Sequence, residues 1–307
     1  MRRLALLAGA IVLVDTMFYA AITPLLPELA DELGLGKNGA GVLAGAYAAG
    51  TLIGALPAGV LAARAGVKPA VLAGLSLMAA SGVAFAFGRS IAVLDAARFL
   101  QGIGGACSWA GAMAWLASTV PAERRGEVLG AALGAAIFGV QLGPIVGAVA
   151  TAIGREAAFS TTVAFGAALA AWASRTPAPA GGAEAVLAAP GRALRERGIR
   201  AGLWLTALPA LAFGVLDVLA PLRLDALGAG GAAVGAVFFA AAGLEAFVSP
   251  AAGRLSDRRG AAPVARAGLV AGGVGLLVLP LPASAWVMGA AVVAVAGALG
   301  VLWVPAM

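Results

Sequence analysis

From Ala267 to Met307 the chain carries no charged residue. A single helix of those 41 residues would be about 60 Å long, roughly twice the hydrocarbon thickness of a bilayer. The segment Leu279-Pro280-Leu281-Pro282 divides it, because proline lacks an amide and clashes inside a helix. The run therefore predicts two membrane spans rather than one. Other charge-poor runs precede it. They lie at Leu4–Pro27, between Lys37 and Arg64, between Lys68 and Arg89, at 91–116, between Glu127 and Arg155, and at 157–174. Two more follow, at 201–222 and 230–252, for ten spans in all. The fold class this predicts is all-α, a polytopic membrane helix bundle. Hydrophobic residues make up 62% of the chain and charged ones 11%, against about 45–50% and about 25% in soluble domains. The 45 glycines suit close helix packing in lipid, where small residues let backbones approach.

The same composition excludes several functions. There is no histidine, so His-based catalysis, His-ligated metal and His proton relays are absent. The one cysteine, Cys107, allows no intrachain disulfide and no CxxC site. No GxxxxGK[ST] loop is present, so ATP-driven pumping has no support. An enzyme is not expected, and neither a cofactor nor a metal is implied. The net charge of +6 belongs to residues between the spans rather than to a nucleic-acid face. Of the 20 Lys and Arg residues, only Lys37, Arg89, Arg98, Arg155 and Arg223 fall on the outer side if the N-terminus is cytoplasmic. The positive-inside bias thus predicts a cytoplasmic N-terminus in the cell membrane. Met-Arg-Arg and the apolar run after it also resemble a signal peptide, but the internal repeat needs the first span.

Residues 176–200 are rich in Pro, Ala and Gly and then basic, and read as a cytoplasmic linker. It separates an N-terminal half, 1–175, from a C-terminal half, 201–307. The halves look alike. Asp15 precedes Pro24 as Asp217 precedes Pro221, and GVLAARAG at 59–66 matches GRLSDRRG at 253–260. The offsets are 202, 197 and 194, so this pairing needs small insertions. Six spans in the first half make the repeat parallel, one of the known transporter architectures.

These residues carry a resemblance to the major facilitator superfamily. GRLSDRRG resembles the family's cytoplasmic loop between the second and third helices of a half, and GVLAARAGVK at 59–68 is the first copy, with Ala63 where the family usually has Asp. Arg98-Phe99-Leu100-Gln101-Gly102 resembles the fourth-helix motif, and Gly139-Val140-Gln141-Leu142-Gly143-Pro144-Ile145-Val146-Gly147 the fifth-helix motif of antiporters. Asp15 followed by Pro24 is similar to the drug:proton antiporter branch. The family normally has twelve spans, so ten suggest a chain lacking the last two. The resemblance implies proton-coupled efflux of small amphipathic or cationic compounds by alternating access. A sugar or amino-acid transporter of the same superfamily, and a non-transporting truncated membrane protein, are the alternatives. The expected partners are the lipid bilayer, a small-molecule substrate and protons, with a monomeric chain and no nucleic acid.

Five residues are candidates for proton or substrate coupling. A carboxylate at mid-span costs on the order of 2.5–3.5 kcal/mol. Asp15 and Glu245 are therefore candidates for taking up a proton or a cation, and Asp217 is a third nearer its helix end. Arg98 keeps its charge when buried and needs acidic partners or carbonyls, with Asp95 one turn away. Gln101 shares its face. The cytoplasmic loop candidates are Gly59, Arg64, Gly66 and Lys68 in the first copy and Gly253, Arg254, Asp257, Arg258, Arg259 and Gly260 in the second. The resemblance gives them a latch role. Gly139, Gly143 and Gly147 form one stripe along the fifth span, and Pro144 loosens its helix. The resemblance suggests that this helix bends and slides between the halves, while simple close packing would use the same stripe.

Overall fold

In a computed structural model, residues 2–121, 124–179 and 197–302 are described. The chain divides into two compact units, Met1–Ala185 and Val186–Met307. Among the described residues every regular element is a helix.

Unit one holds α1 (Arg2–Ala20), α2 (Ile22–Glu32), α3 (Lys37–Arg64), α4 (Val67–Phe87), α5 (Ile91–Thr119), α6 (Arg125–Ile153) and α7 (Arg155–Arg175). The first span is thus two helices rather than one. Ala21 interrupts it with near-helical angles (φ −65°, ψ −17°). Pro24 supplies no N–H to the Ala20 carbonyl four residues earlier, which suits proline to the first turn of α2. Helix α5 is central, packed on α3, α4 and α1, while α6 lies along α1 and α7 along α4.

Glycines permit these approaches. A Cβ at Gly102 would sit 2.8 Å from the Thr51 amide of α3, and one at Gly74 2.5 Å from the Gly104 carbonyl of α5. The Thr51 hydroxyl donates to the Gly102 carbonyl across the same contact (3.2 Å). The stripe of Gly139, Gly143 and Gly147 meets α1 and the start of α2. A Cβ at Gly143 would lie 2.8 Å from the Met17 carbonyl, and one at Gly147 2.7 Å from Pro24 Cδ. The stripe is thus filled within unit one, as close packing of small residues would have it. Pro144 lies inside an α6 that runs to Ile153.

Unit two holds α8 (Arg197–Ala226), α9 (Gly231–Arg259), α10 (Ala261–Val278) and α11 (Ala285–Gly300). Its core gathers Leu216, Val234, Phe238, Met288, Val292 and Leu299. Helix α8 starts at Arg197, inside the expected linker of 176–200, because the basic stretch joins the apolar run without a breaker. Residues 180–196 of that linker lie outside the described residues. Each of the ten apolar runs coincides with helix. Among the described residues seven segments could cross a membrane by length and composition: α1–α2 together, α3, α4, α6, α7 and the apolar parts of α8 and α9. Helices α10 and α11 are apolar but shorter, and α5 carries Asp95, Arg98 and Gln101.

The repeat has one fixed register. Gly34 and Gly228 have φ of 61° and 86°, Gly66 and Gly260 have 103° and 85°, and each pair is 194 residues apart. The first pair closes the same turn. Leu35 N–H donates to Ala30 (2.7 Å) and Gly34 N–H to Asp31 (3.3 Å). Ala229 N–H donates to Leu224 (2.9 Å) and Gly228 N–H to Asp225 (2.7 Å). This is the Schellman closure, in which only glycine takes the left-handed angle freely. Ser90 and Ser284, again 194 apart, cap α5 and α11 by accepting from Val93 and Val287 amides (both 3.4 Å). The sequence pairing therefore needs correction. Pro27, not Pro24, matches Pro221, no insertion is needed between residues 27 and 90, and Asp15 and Asp217 are not equivalent.

Candidate functional site

The polar centre of unit one is assembled by three helices. Asp15 and Tyr19 project from one face of α1 at a spacing of four. Arg98, Gln101, Gly105 and Trp109 lie on one face of α5 at offsets of three, seven and eleven. Tyr47 enters from α3.

Asp15 is buried at 1% exposure. Its Oδ2 accepts from the Tyr47 hydroxyl (2.8 Å) and from Trp109 Nε1 (3.1 Å). Its Oδ1 is buried without a hydrogen-bond partner. Gly105 lies beside the carboxylate, where a Cβ would come within 3.0 Å of both oxygens and 2.7 Å of the Tyr47 hydroxyl. The three glycines at 102, 104 and 105 thus serve three faces of α5: α3, α4 and the carboxylate.

Arg98 is fully buried. Nη1 donates to Gln101 Oε1 (2.8 Å) and Phe18 carbonyl (3.4 Å), and Nη2 to Tyr19 carbonyl (3.1 Å). Those carbonyls end α1, where helix geometry leaves acceptors free and favours a cation. Its guanidinium also faces the rings of Tyr47 (5.3 Å) and Tyr19 (5.9 Å), within cation–π range. The expected alternative partner, Asp95, makes no ion pair with it, and Asp95 Oδ1 is buried without a hydrogen-bond partner. No ion pair among the described residues joins Asp15 to Arg98.

Asp217 on α8 and Glu245 on α9 belong to unit two, both half-buried. The Glu245 side chain rests on Gly300 of α11, where a Cβ would come within 2.5 Å of its Cγ. The five expected coupling residues therefore form two groups, three in unit one and two in unit two.

The loop candidates sit at helix ends. Arg64 ends α3 and is exposed, and Gly59 has open space around it. Lys68 Nζ donates to the Ser174 carbonyl at the end of α7 (3.1 Å). Arg254, Arg258 and Arg259 are exposed near the end of α9, and Gly260 closes it. The surroundings of Gly253 and the side chain of Asp257 lie outside what is described. On the opposite face of unit one, Arg155 joins Glu32 (3.7 Å) and the Gly88 carbonyl (2.9 Å). Among the described residues no group of three potential metal ligands is found.

The sequence profile of the Major Facilitator Superfamily matches residues 8–307. The chain belongs to the major facilitator superfamily. Its membership places it among membrane transporters rather than enzymes. Among its relatives is the synaptic vesicular amine transporter of Homo sapiens, 42% identical over 91 residues, which are 29% of this chain and 18% of that one. A probable vesicular acetylcholine transporter-B of Danio rerio is 34% identical over 158 residues, 48% of this chain and 32% of its own. The chain thus spans under a third of the length of these curated relatives. Two solved superfamily structures share the fold. One is a D-xylose-proton symporter (TM-score 0.71, 18% identity, 99% of this chain and 80% of that one). The other is a bacterial homolog of the human lysosomal transporter Spinster, inward-facing and unoccupied (TM-score 0.77, 16% identity, 98% and 74%).

Tyr47, Trp109 and Tyr19 were not among the residues expected from sequence. Two signals point to them. The chain has two tyrosines in all, and both lie at this centre. Trp109 falls eleven residues from Arg98, on the same helical face.

Proposed function

We propose that this chain is a proton-coupled antiporter that moves small organic cations, protonated amines among them, out of the cytoplasm across the cell membrane. The observation that carries the reading is the buried Asp15 carboxylate, whose Oδ1 has no hydrogen-bond partner beside Gly105. An unpaired acceptor in apolar surroundings is costly. A proton satisfies it, and so does a cationic head group, so the two compete for one carboxylate. Competition of this kind is the minimum requirement for exchange. Tyr47 and Trp109 hold Oδ2 through their polar atoms and leave Oδ1 for the arriving proton or cation. The names of the amine and acetylcholine transporters that the chain resembles lend support to the cationic class. One-for-one exchange with a monovalent cation moves no net charge and is driven by the pH gradient alone, whereas a second proton per cycle adds about 2.3 kcal/mol per 100 mV, without ATP or a cofactor. On this reading the N-terminus is cytoplasmic, and the second-half carboxylates Asp217 and Glu245 serve the same cycle.

The test uses inverted vesicles loaded to follow pH, with ethidium and dopamine as probes. Either probe should drive proton release from the lumen, and Asp15→Asn should abolish it while leaving expression intact. Probe flux that is independent of the proton gradient sinks the reading.

A further inference from the structure

Asp15 and Arg98 are both buried and make no ion pair. One side chain touches both of them. Tyr47 donates its hydroxyl to Asp15 Oδ2 (2.8 Å), and its ring carries the Arg98 guanidinium at 5.3 Å. Trp109 reaches Asp15 through its indole N–H, while Gln101 bonds to Arg98. Tyr19 completes the slot, its ring 4.6 Å from that of Tyr47. Arg98 in turn holds the Phe18 and Tyr19 carbonyls, directly before the interruption at Ala21.

We propose that Tyr47 is a positioning residue that transmits the loading of Asp15 to Arg98, and through Arg98 to the α1–α2 junction. The inference rests on the reading of Asp15 as the acceptor of a proton or cation. An anionic carboxylate fixes the phenol, because a hydrogen bond to a charged acceptor is about twice as strong as a neutral one. A protonated or cation-covered carboxylate releases that hold. The ring then relaxes against Tyr19, and the guanidinium above it loses a contact that lies near the outer limit of about 6 Å for cation–π attraction. Arg98 is left to its carbonyls and Gln101, so its grip on the end of α1 changes. The groups facing this relay are few. Asp15 and Tyr19 come from α1, Tyr47 from α3, and Arg98, with Asp95 and Cys107 farther along, from α5. Helix α4 has only Lys68, in its first turn, and α2 has Glu28, Asp31 and Glu32 toward its end; α6 has only Arg125 and Glu127 in its first turn, and α7 only Arg155, Glu156 and Arg175 at its ends.

The experiment measures the distance between spin labels at Glu28→Cys in α2 and Arg89→Cys before α5, in full chain carrying Cys107→Ala in nanodiscs, with no substrate present. In the otherwise unchanged protein the distance should shift between acidic and alkaline pH, and Asp15→Asn should remove the shift. Tyr47→Phe, which keeps the ring and loses the donor, should lose more than half of the shift. Trp109→Phe, which loses a donor to the same carboxylate but leaves the Arg98 slot intact, should keep most of it. A 3-fluorotyrosine at position 47, equal in shape but a stronger donor, should move the pH at which the shift occurs. A Tyr47→Phe response equal to that of the parent overturns the proposal, as does an equal loss in Trp109→Phe. A parent whose labels do not move with pH, or a parent matched by Asp15→Asn, overturns it too. Transport of organic cations is measured separately, so its failure is distinguishable from failure here.

Discussion

At the scale of the residue, Arg98 shows why a buried charge is tolerated. Three oxygens receive its guanidinium, and two of them are main-chain carbonyls that the end of α1 leaves over. Removing the cation strands those oxygens in a dry interior. Arg98→Met should therefore destabilise the protein by about 3 kcal/mol, within the range for hydrogen bonds to charged groups. Arg98→Lys, with one point charge in place of a planar fork, should recover only part of that. Thermal unfolding in detergent measures both; equal midpoints for Met and the parent contradict the account. Asp15, Arg98 and Gln101 were legible in the sequence, because charge within an apolar run is conspicuous. Tyr47 and Trp109 were not, because an aromatic residue in a membrane helix is ordinary until its polar atom finds a partner. The true partners of Arg98 were hidden for another reason: carbonyls carry no side-chain signal, so Asp95 looked the better candidate.

At the scale of the element, the helices were legible and their register was not. Charge-free runs mark spans by length alone, and all ten runs are helical. Matching the halves by Asp and Pro misled, since a carboxylate and a proline constrain no common geometry. The left-handed glycines do, and Gly34 with Gly228 and Gly66 with Gly260 set one offset of 194. The same register makes a paired prediction for the caps. Ser90→Ala and Ser284→Ala should each cost about 1 kcal/mol, the usual worth of a serine N-cap, and by similar amounts because the cap geometry is the same. Packing supplies the contrast. Gly102→Val drives a side chain into the backbone of α3 and should prevent folding, whereas Gly59→Ala enters open space inside α3 and should raise the unfolding midpoint, by up to about 1 kcal/mol of helix propensity. Gly139, Gly143 and Gly147 belong with Gly102, since α1 and α2 fill the space their missing side chains leave. A stripe of small residues reads alike in sequence whether its neighbour slides or stays.

At the scale of the whole molecule, the open question is which face is cytoplasmic. The charges divide unevenly. Arg64, Lys68, Arg254, Arg258 and Arg259 gather at the α3–α4 and α9–α10 ends, while Glu32, Arg89, Arg155 and Glu156 mark the opposite end of unit one in mixed signs. Positive residues resist translocation and acidic ones such as Asp257 contribute little, so these Arg- and Lys-rich ends should be cytoplasmic. The removal of one thiol makes the question experimental, because Cys107 is the chain's single cysteine. In a Cys107→Ala background, Arg89→Cys should react with a membrane-impermeant maleimide in intact cells, and Arg259→Cys only after the membrane is opened. The reverse pattern would overturn the cytoplasmic N-terminus, while leaving the direction of exchange to the proton gradient, which drives substrate outward whichever way round an antiporter sits.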